Sequence, residues 1–222
     1  MFSLENQALK IICLISAFLI AVIGHEIMHG LVAYYYGDDT AKSEGRLSLN
    51  PIKHIDLMGS IILPLMLFIA QAPFLFGWAK PVPINMHKII SRYGYMPAIY
   101  VSLAGIAYNF LLALFASFIL NQWIGDSFDS NLSKFFYLLF YYLVVYNIVL
   151  GIFNLWPIPP LDGSQALRFF ALKFGFSRMA DFLSRMQNFG ILIILFILAT
   201  PLSKIFFYPT NFLIEFFLSL GV

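Results

Sequence analysis

The chain has 222 residues, of which 61% are hydrophobic, 18% aromatic and only 11% charged, and its mean hydropathy is +0.85. That balance excludes an ordinary soluble domain and places the protein in the multi-pass membrane class. A net charge of +2, with the bases scattered through short loops, argues against a nucleic-acid partner; the single cysteine, Cys13, excludes an internal disulfide and any cysteine-rich zinc or iron–sulfur site.

About 20 apolar residues span a bilayer core. In chain order the candidate spans are residues 11–36, 57–79, 93–125, 135–161 and 186–203. Residues 205–220 are interrupted by Pro209, Asn211 and Glu215, and read as a short re-entrant or interfacial helix in place of a span. The first run has the length of a leader's apolar region, but Glu5 precedes it and it continues into a polar motif, so it reads as a retained helix. Between the first two runs, residues 45–51 (GRLSLNP) alternate polar and apolar and predict a short strand. Residues 80–85 (KPVPIN) predict a second extended piece, because proline excludes a helix interior. The two together predict a small β element at the membrane surface. No charged block or Ser/Gly-rich linker divides the chain, which predicts one membrane-embedded domain over residues 1–222.

Within the first run lies HEIMH, His25 to His29. Two histidines four apart share a helix face, the spacing two imidazoles need to hold one Zn²⁺, and Glu26 between them can serve as general base. The fourth run ends in NLWPIPPLDG, Asn154 to Gly163, where Pro157, Pro159 and Pro160 break the helix. Irregular backbone at membrane depth needs protein or a wet cavity around it. Asp162 then supplies a hard anionic oxygen suited to a third zinc ligand, leaving a fourth position for water. One zinc, one carboxylate and one hydroxide sum to zero charge, which eases burial in a low dielectric. Plainer readings stand beside these: a polar cluster that packs helices for His25, Glu26 and His29, a helix-capping aspartate for Asp162, an interhelical hydrogen bond for Asn154. Ionisable groups inside a span favour the functional reading. His54 and His87 sit beside lysines and read as solvated or interfacial.

HEIMH in a span, GWAKPVPIN (77–85), AGIAYN (104–109) and NLWPIPPLDG together resemble the site-2 protease family of intramembrane zinc metalloproteases, over about residues 21–165. The resemblance implies that His25, His29 and Asp162 bind one Zn²⁺, that Glu26 activates the bound water, and that Asn154 steadies the oxyanion. AGIAYN departs from the family pattern, with Ile106 where proline is usual, so Gly105 and Asn109 are read as helix-packing residues. The larger relatives carry a PDZ or CBS module; the expectation here is the compact form without one. Other zinc-protease patterns fit less well: a metzincin needs histidine where Tyr35 stands, and a gluzincin needs a downstream glutamate ligand, for which only Glu44 and Glu215 are available.

If His25, His29 and Asp162 share an ion, the first and fourth runs end at the same depth and run parallel. One of the two intervening runs then enters and leaves on one side, and residues 57–79, interrupted by Gly59, Pro64, Pro73 and Gly77, are the candidate re-entrant hairpin. Loop charge agrees. With the hairpin, Lys42, Arg46, Lys53, Lys80, Lys88, Arg92 and the four bases from Arg168 to Arg185 share one side, leaving Lys10, Lys134 and Lys204 on the other. The sequence thus predicts an all-α polytopic membrane protein of five or six membrane segments in a prokaryotic plasma membrane. Its N-terminus and the acidic stretch with Asp126 and Asp129 face outward, and the site and β element lie toward the cytoplasm. The expected activity is hydrolysis of peptide bonds within or beside transmembrane segments of protein substrates in the lipid bilayer, with substrate held as an added strand near Leu47 and Val82. The alternative is a non-enzymatic metal transporter or channel.

Overall fold

The computed structural model describes residues 4–72, 74, 76–122 and 131–220. Pro73, Asp126 and Asp129 lie outside them. The described residues are helical or irregular, and four helices are long and apolar enough to cross a membrane: Gln7–Tyr35, Tyr95–Asn121, Leu132–Leu155 and Ser177–Ala199. The protein is an all-α polytopic membrane protein.

Helix α1 (Leu4–Tyr35) contains no proline and is apolar on nearly every face, as a lipid-embedded helix requires. It stops at Gly37, whose φ of +83° lets Asp38 N–H close back on the Ala33 carbonyl at 3.0 Å. The polar connection that follows is held by side-chain caps. Asn50 accepts from Ile52 N–H to start a 3₁₀ turn at Pro51–His54, and Asp56 accepts from Gly59 N–H at 2.7 Å to start helix α2. That helix, Leu57–Ile69, opens with a π-helical turn and continues as α-helix. The chain then returns: Trp78 N–H donates to the Gly59 carbonyl and Ser60 Oγ donates to the Trp78 carbonyl.

The expected β element is absent among the described residues. Residues 80–85 are extended, as the prolines require, but Lys80 N–H goes to the His54 carbonyl and Val82 N–H to the Glu26 carboxylate. Pro81 and Pro83 have no N–H, and the Arg46 guanidinium takes the carbonyls of Lys80 and Pro81. The Lys80 and Val82 donors and the Lys80 and Pro81 carbonyls are therefore taken by side chains and by a turn.

Asn85 caps helix α3 (Met86–Tyr93), and Gly94 at φ +75° turns the chain into α4 (Tyr95–Asn121). Helix α5 (Asn131–Leu155) ends two residues before Pro157. Helix α6 (Asp162–Lys173) is followed by α7 (Ser177–Met186) and α8 (Gly190–Ala199), which with the residues between them make up the fourth long segment. Hydropathy placed its start near residue 186. The structure begins it earlier, because α7 keeps Arg178, Asp181 and Arg185 on one side of an amphipathic helix that buries Ala180 and Leu183. The C-terminal stretch forms α9 (Leu202–Phe206) and α10 (Tyr208–Ser219), the second too short to span and laid against α5 through Leu213, Ile214, Phe217 and Leu218.

Side-chain contacts give the helix directions. Along α4, Val101 meets His29 while Asn109 meets His25 and Ala21, so α4 runs antiparallel to α1. Along α5, Phe135 meets Cys13 and Tyr146 meets Phe18, so α5 runs parallel to α1. Ala17, Ala113, Ala116 and Val144 are fully buried between these three helices, small residues that let the backbones approach closely.

Candidate metal centre

His25 and His29 occupy successive turns on the buried face of α1, and Asp162 enters from the first turn of α6. Their facing atoms form a near-equilateral triangle. His25 Nε2 is 3.0 Å and His29 Nε2 3.1 Å from Asp162 Oδ2, and the two ring nitrogens are 3.1 Å apart. Ligand atoms on a tetrahedral zinc with bonds of about 2.0–2.1 Å lie roughly 3.3 Å apart, so this triangle has the size of a zinc site.

The far side of each ring decides what the triangle can hold. His29 Nδ1 lies 2.6 Å from the Val101 carbonyl, and His25 Nδ1 lies 2.6 Å from Asn109 Oδ1. Both partners are acceptors, which assigns the proton of each neutral ring to Nδ1 and leaves a lone pair on each Nε2. Two lone pairs and a carboxylate oxygen then converge. Such a set is held together by a shared proton or by a cation, and one carboxylate with two imidazoles is a borderline donor set suited to Zn²⁺. The residues fit the metal.

Asp162 reaches the histidines because the chain from Leu155 to Leu161 folds back on itself. Gly163 presses against the Leu155 carbonyl, where any side chain would collide. Asp162 itself begins α6 and does not cap it; the position before it is Leu161, whose carbonyl accepts from Ser164 Oγ and Ser164 N–H. On α4, Gly105 leaves room for both rings, since a Cβ there would stand 2.5 Å from His25 Cε1 and from His29 Nε2.

Glu26 is half-buried. Its Oε2 accepts Val82 N–H at 2.9 Å, which fixes one carboxylate oxygen against the extended 80–85 segment. That segment is anchored at its other end by Asp38, fully buried, which accepts from Asn85 N–H at 2.6 Å and from Thr40. Asn154 donates its Nδ2 to the Leu150 carbonyl of its own helix at 3.1 Å, the use typical of a polar residue in a span. His87 is exposed, as expected, but His54 is buried with Nε2 on the Ser48 carbonyl, so it is a turn-stabilising residue and not a solvated one.

Asn109 exceeds the packing role read from sequence. It is fully buried, holds His25, and donates to Asn147 Oδ1 at 2.8 Å and to the Ala21 carbonyl at 3.3 Å. Asn147 was not singled out by the sequence, although an amide in the middle of an apolar run was a visible signal.

The chain is 32% identical over 202 residues to a Bacillus subtilis protein named "Putative zinc metalloprotease YwhC", a match covering 88% of this chain and 84% of that one. It belongs to that zinc metalloprotease family. A second member, "Putative zinc metalloprotease Rip2" of Mycolicibacterium smegmatis, is 29% identical over 197 residues, covering 88% of this chain and 70% of its own. No protein-family model and no solved structure matches. Membership agrees with the site-2 protease resemblance, and His25, His29 and Asp162 form a group whose donor atoms could hold a metal ion.

Proposed function

We propose that this family member is an intramembrane zinc endopeptidase that cuts peptide bonds within or next to transmembrane segments of membrane-protein substrates. The reading rests on one observation: three ligand atoms within 3.1 Å of one another, from two buried histidines and a partly buried aspartate, with a glutamate directly after the first histidine. His25, His29 and Asp162 are the ligands of one zinc ion. Bound there, zinc lowers the pKa of a water toward about 7 and polarises the scissile carbonyl. Glu26, one oxygen held by Val82 N–H, takes the proton of the attacking water on its other oxygen and returns it to the leaving amine. Asn154 donates to the oxyanion with the second hydrogen of its Nδ2, the first being held by the Leu150 carbonyl.

The segments near Leu47 and Val82 remain the proposed place for a substrate held as an added strand. Lys80 and Val82 already use their N–H groups internally, and Pro81 and Pro83 have none, so the main-chain donors of that pairing come from outside residues 80–83. A helical substrate must unwind locally to expose its carbonyls, and Gly or Pro near the cut should speed cleavage.

The same reading covers the whole chain as one membrane-embedded protease domain. Residues 57–79 form a re-entrant hairpin: α2 rises only about 20 Å, against about 30 Å for the hydrocarbon core. Support also comes from Lys88, which pairs with Asp39 at 2.6 Å, because the chain before and after the hairpin then meets on one side. That side, rich in Lys and Arg, is cytoplasmic in a prokaryotic plasma membrane, with the N-terminus outside.

The experiment uses purified protein with a fluorogenic transmembrane-segment substrate and zinc measured by elemental analysis. Glu26→Gln should abolish cleavage and retain zinc, whereas His25→Ala and Asp162→Ala should lose both. Zinc flux through proteoliposomes with no proteolysis would replace this reading with a transporter. Comparing membrane-fraction peptides from cells carrying wild type and Glu26→Gln then names the substrates.

A further inference from the structure

Asn147 lies in the middle of α5, fully buried, one residue removed from the metal centre. Its Nδ2 donates to the Leu143 carbonyl of its own helix at 2.8 Å, which turns its Oδ1 toward α4. There Oδ1 receives Asn109 Nδ2, whose second acceptor is the Ala21 carbonyl of α1. Both acceptors lie on the same side of the Asn109 amide. The amide therefore has one orientation, with its own Oδ1 toward His25 Nδ1.

We infer that Asn147 is a positioning residue for the metal centre: by fixing the Asn109 amide it sets the tautomer of His25, keeping the proton on Nδ1 and the lone pair on Nε2. The inference rests on reading His25 as a ligand. An isolated asparagine against an imidazole has two nearly equal choices, oxygen toward Nδ1–H or NH₂ toward a bare Nδ1, and only the first leaves Nε2 free to bind a cation. The Ala21 carbonyl alone is a weak selector at 3.3 Å; the 2.8 Å bond to Asn147 is the stronger one. His29 needs no such device, because its Nδ1 faces a main-chain carbonyl that cannot flip. The three helices that meet at these asparagines thus share one proton assignment, and α5 contributes to the centre at a point remote from Asp162.

The test compares Asn147→Leu, which fills the site but offers no acceptor, with Asn147→Asp. A protonated aspartic acid reproduces both bonds, donating to Leu143 O and accepting from Asn109. Zinc affinity is read by chelator competition on detergent-solubilised protein, and the ring proton by ¹⁵N-histidine NMR. Asn147→Leu should weaken zinc about 10-fold, the low end for lost outer-shell partners, and displace the His25 Nδ1–H signal while leaving that of His29 in place. Asn147→Asp should restore both. Wild-type zinc affinity and an unmoved His25 signal in Asn147→Leu would overturn the inference, as would equal disturbance of His25 and His29, the mark of general loosening. Should wild type bind no zinc, the metal reading fails separately, and the His25 signal in metal-free protein still decides the role of Asn147.

Discussion

Gly105 and Val82 each matter through a single atom, or the lack of one. An alanine Cβ at position 105 would stand 2.5 Å from both imidazoles, and both rings are buried and held by hydrogen bonds at Nδ1. Gly105→Ala should therefore displace the ligands and lower zinc affinity by about 10-fold or more, while overpacking costs about 1–3 kcal/mol of stability. Zinc content after dialysis against a graded chelator series measures the first, and a melt in detergent the second. Val82 acts through its amide. Val82→Pro deletes the donor to Glu26 and no other observed main-chain bond, so it should depress cleavage with zinc retained. A Val82→Pro enzyme with wild-type turnover would show that Glu26 needs no such hold. Asp38 and Asp39 make a further contrast. Asp38 is buried and carries three hydrogen bonds, so Asp38→Ala should cost about 1–3 kcal/mol. Asp39 is exposed on its Lys88 partner, which holds its carboxyl below the ordinary carboxylate range. A lowered folded pKa stabilises above the unfolded value and is lost as pH falls through the carboxylate range; here solvent and salt screen it, and Asp39→Asn should leave the melting temperature unchanged at 0.15 M salt.

At the scale of elements, what was legible depended on how local the signal is. HEIMH writes two candidate ligands and a candidate base into five consecutive residues of one helix, and the proline-broken NLWPIPPLDG marks the helix end that brings Asp162 to them. The spans were legible because lipid imposes length and apolarity on each one independently. The β element failed for a non-local reason: alternation in residues 45–51 and the prolines of 80–85 predict extended backbone, but whether two extended pieces pair depends on where their donors go. Here they go to His54 and to Glu26. The same applies to Asn109, whose partner His25 is 84 positions away. Helix α7 was missed because a hydropathy reading stops at Arg178, Asp181 and Arg185, whereas an amphipathic helix carries such residues on one side. The 80–85 segment itself yields a prediction. It is fastened by Asp38 at Asn85 and by Arg46 at Lys80 and Pro81, so Arg46→Ala should release its early end, expose the 44–56 connection to limited proteolysis and slow cleavage of substrate without removing zinc.

For the whole molecule, the metal centre and the threading of the chain constrain each other. His25 and His29 lie toward the end of α1, and Asp162 lies beyond the end of α5, so parallel α1 and α5 are what allow one cluster to form. Antiparallel α4 between them supplies the single crossing that parallel neighbours need, the arrangement on which the proposed α2 hairpin rests. The Lys88–Asp39 pair and the Asp38–Asn85 bond already join the two ends of that excursion. Exposed positions make the arrangement measurable. Ser43 and Ser91 flank the hairpin, while Gln7 starts α1 and Gln122 follows α4 at the opposite end of the bundle. In a Cys13→Ala background, single cysteines at these four positions are treated with a membrane-impermeant maleimide in intact cells and again after lysis. Gln7→Cys and Gln122→Cys should label from outside; Ser43→Cys and Ser91→Cys should label only once the membrane is opened. Reversal of all four would invert the orientation and keep the hairpin. Labelling of Ser43→Cys and Ser91→Cys from opposite sides would require α2 to cross, and a crossing α2 would separate the segment that holds Glu26 from the helix that carries it.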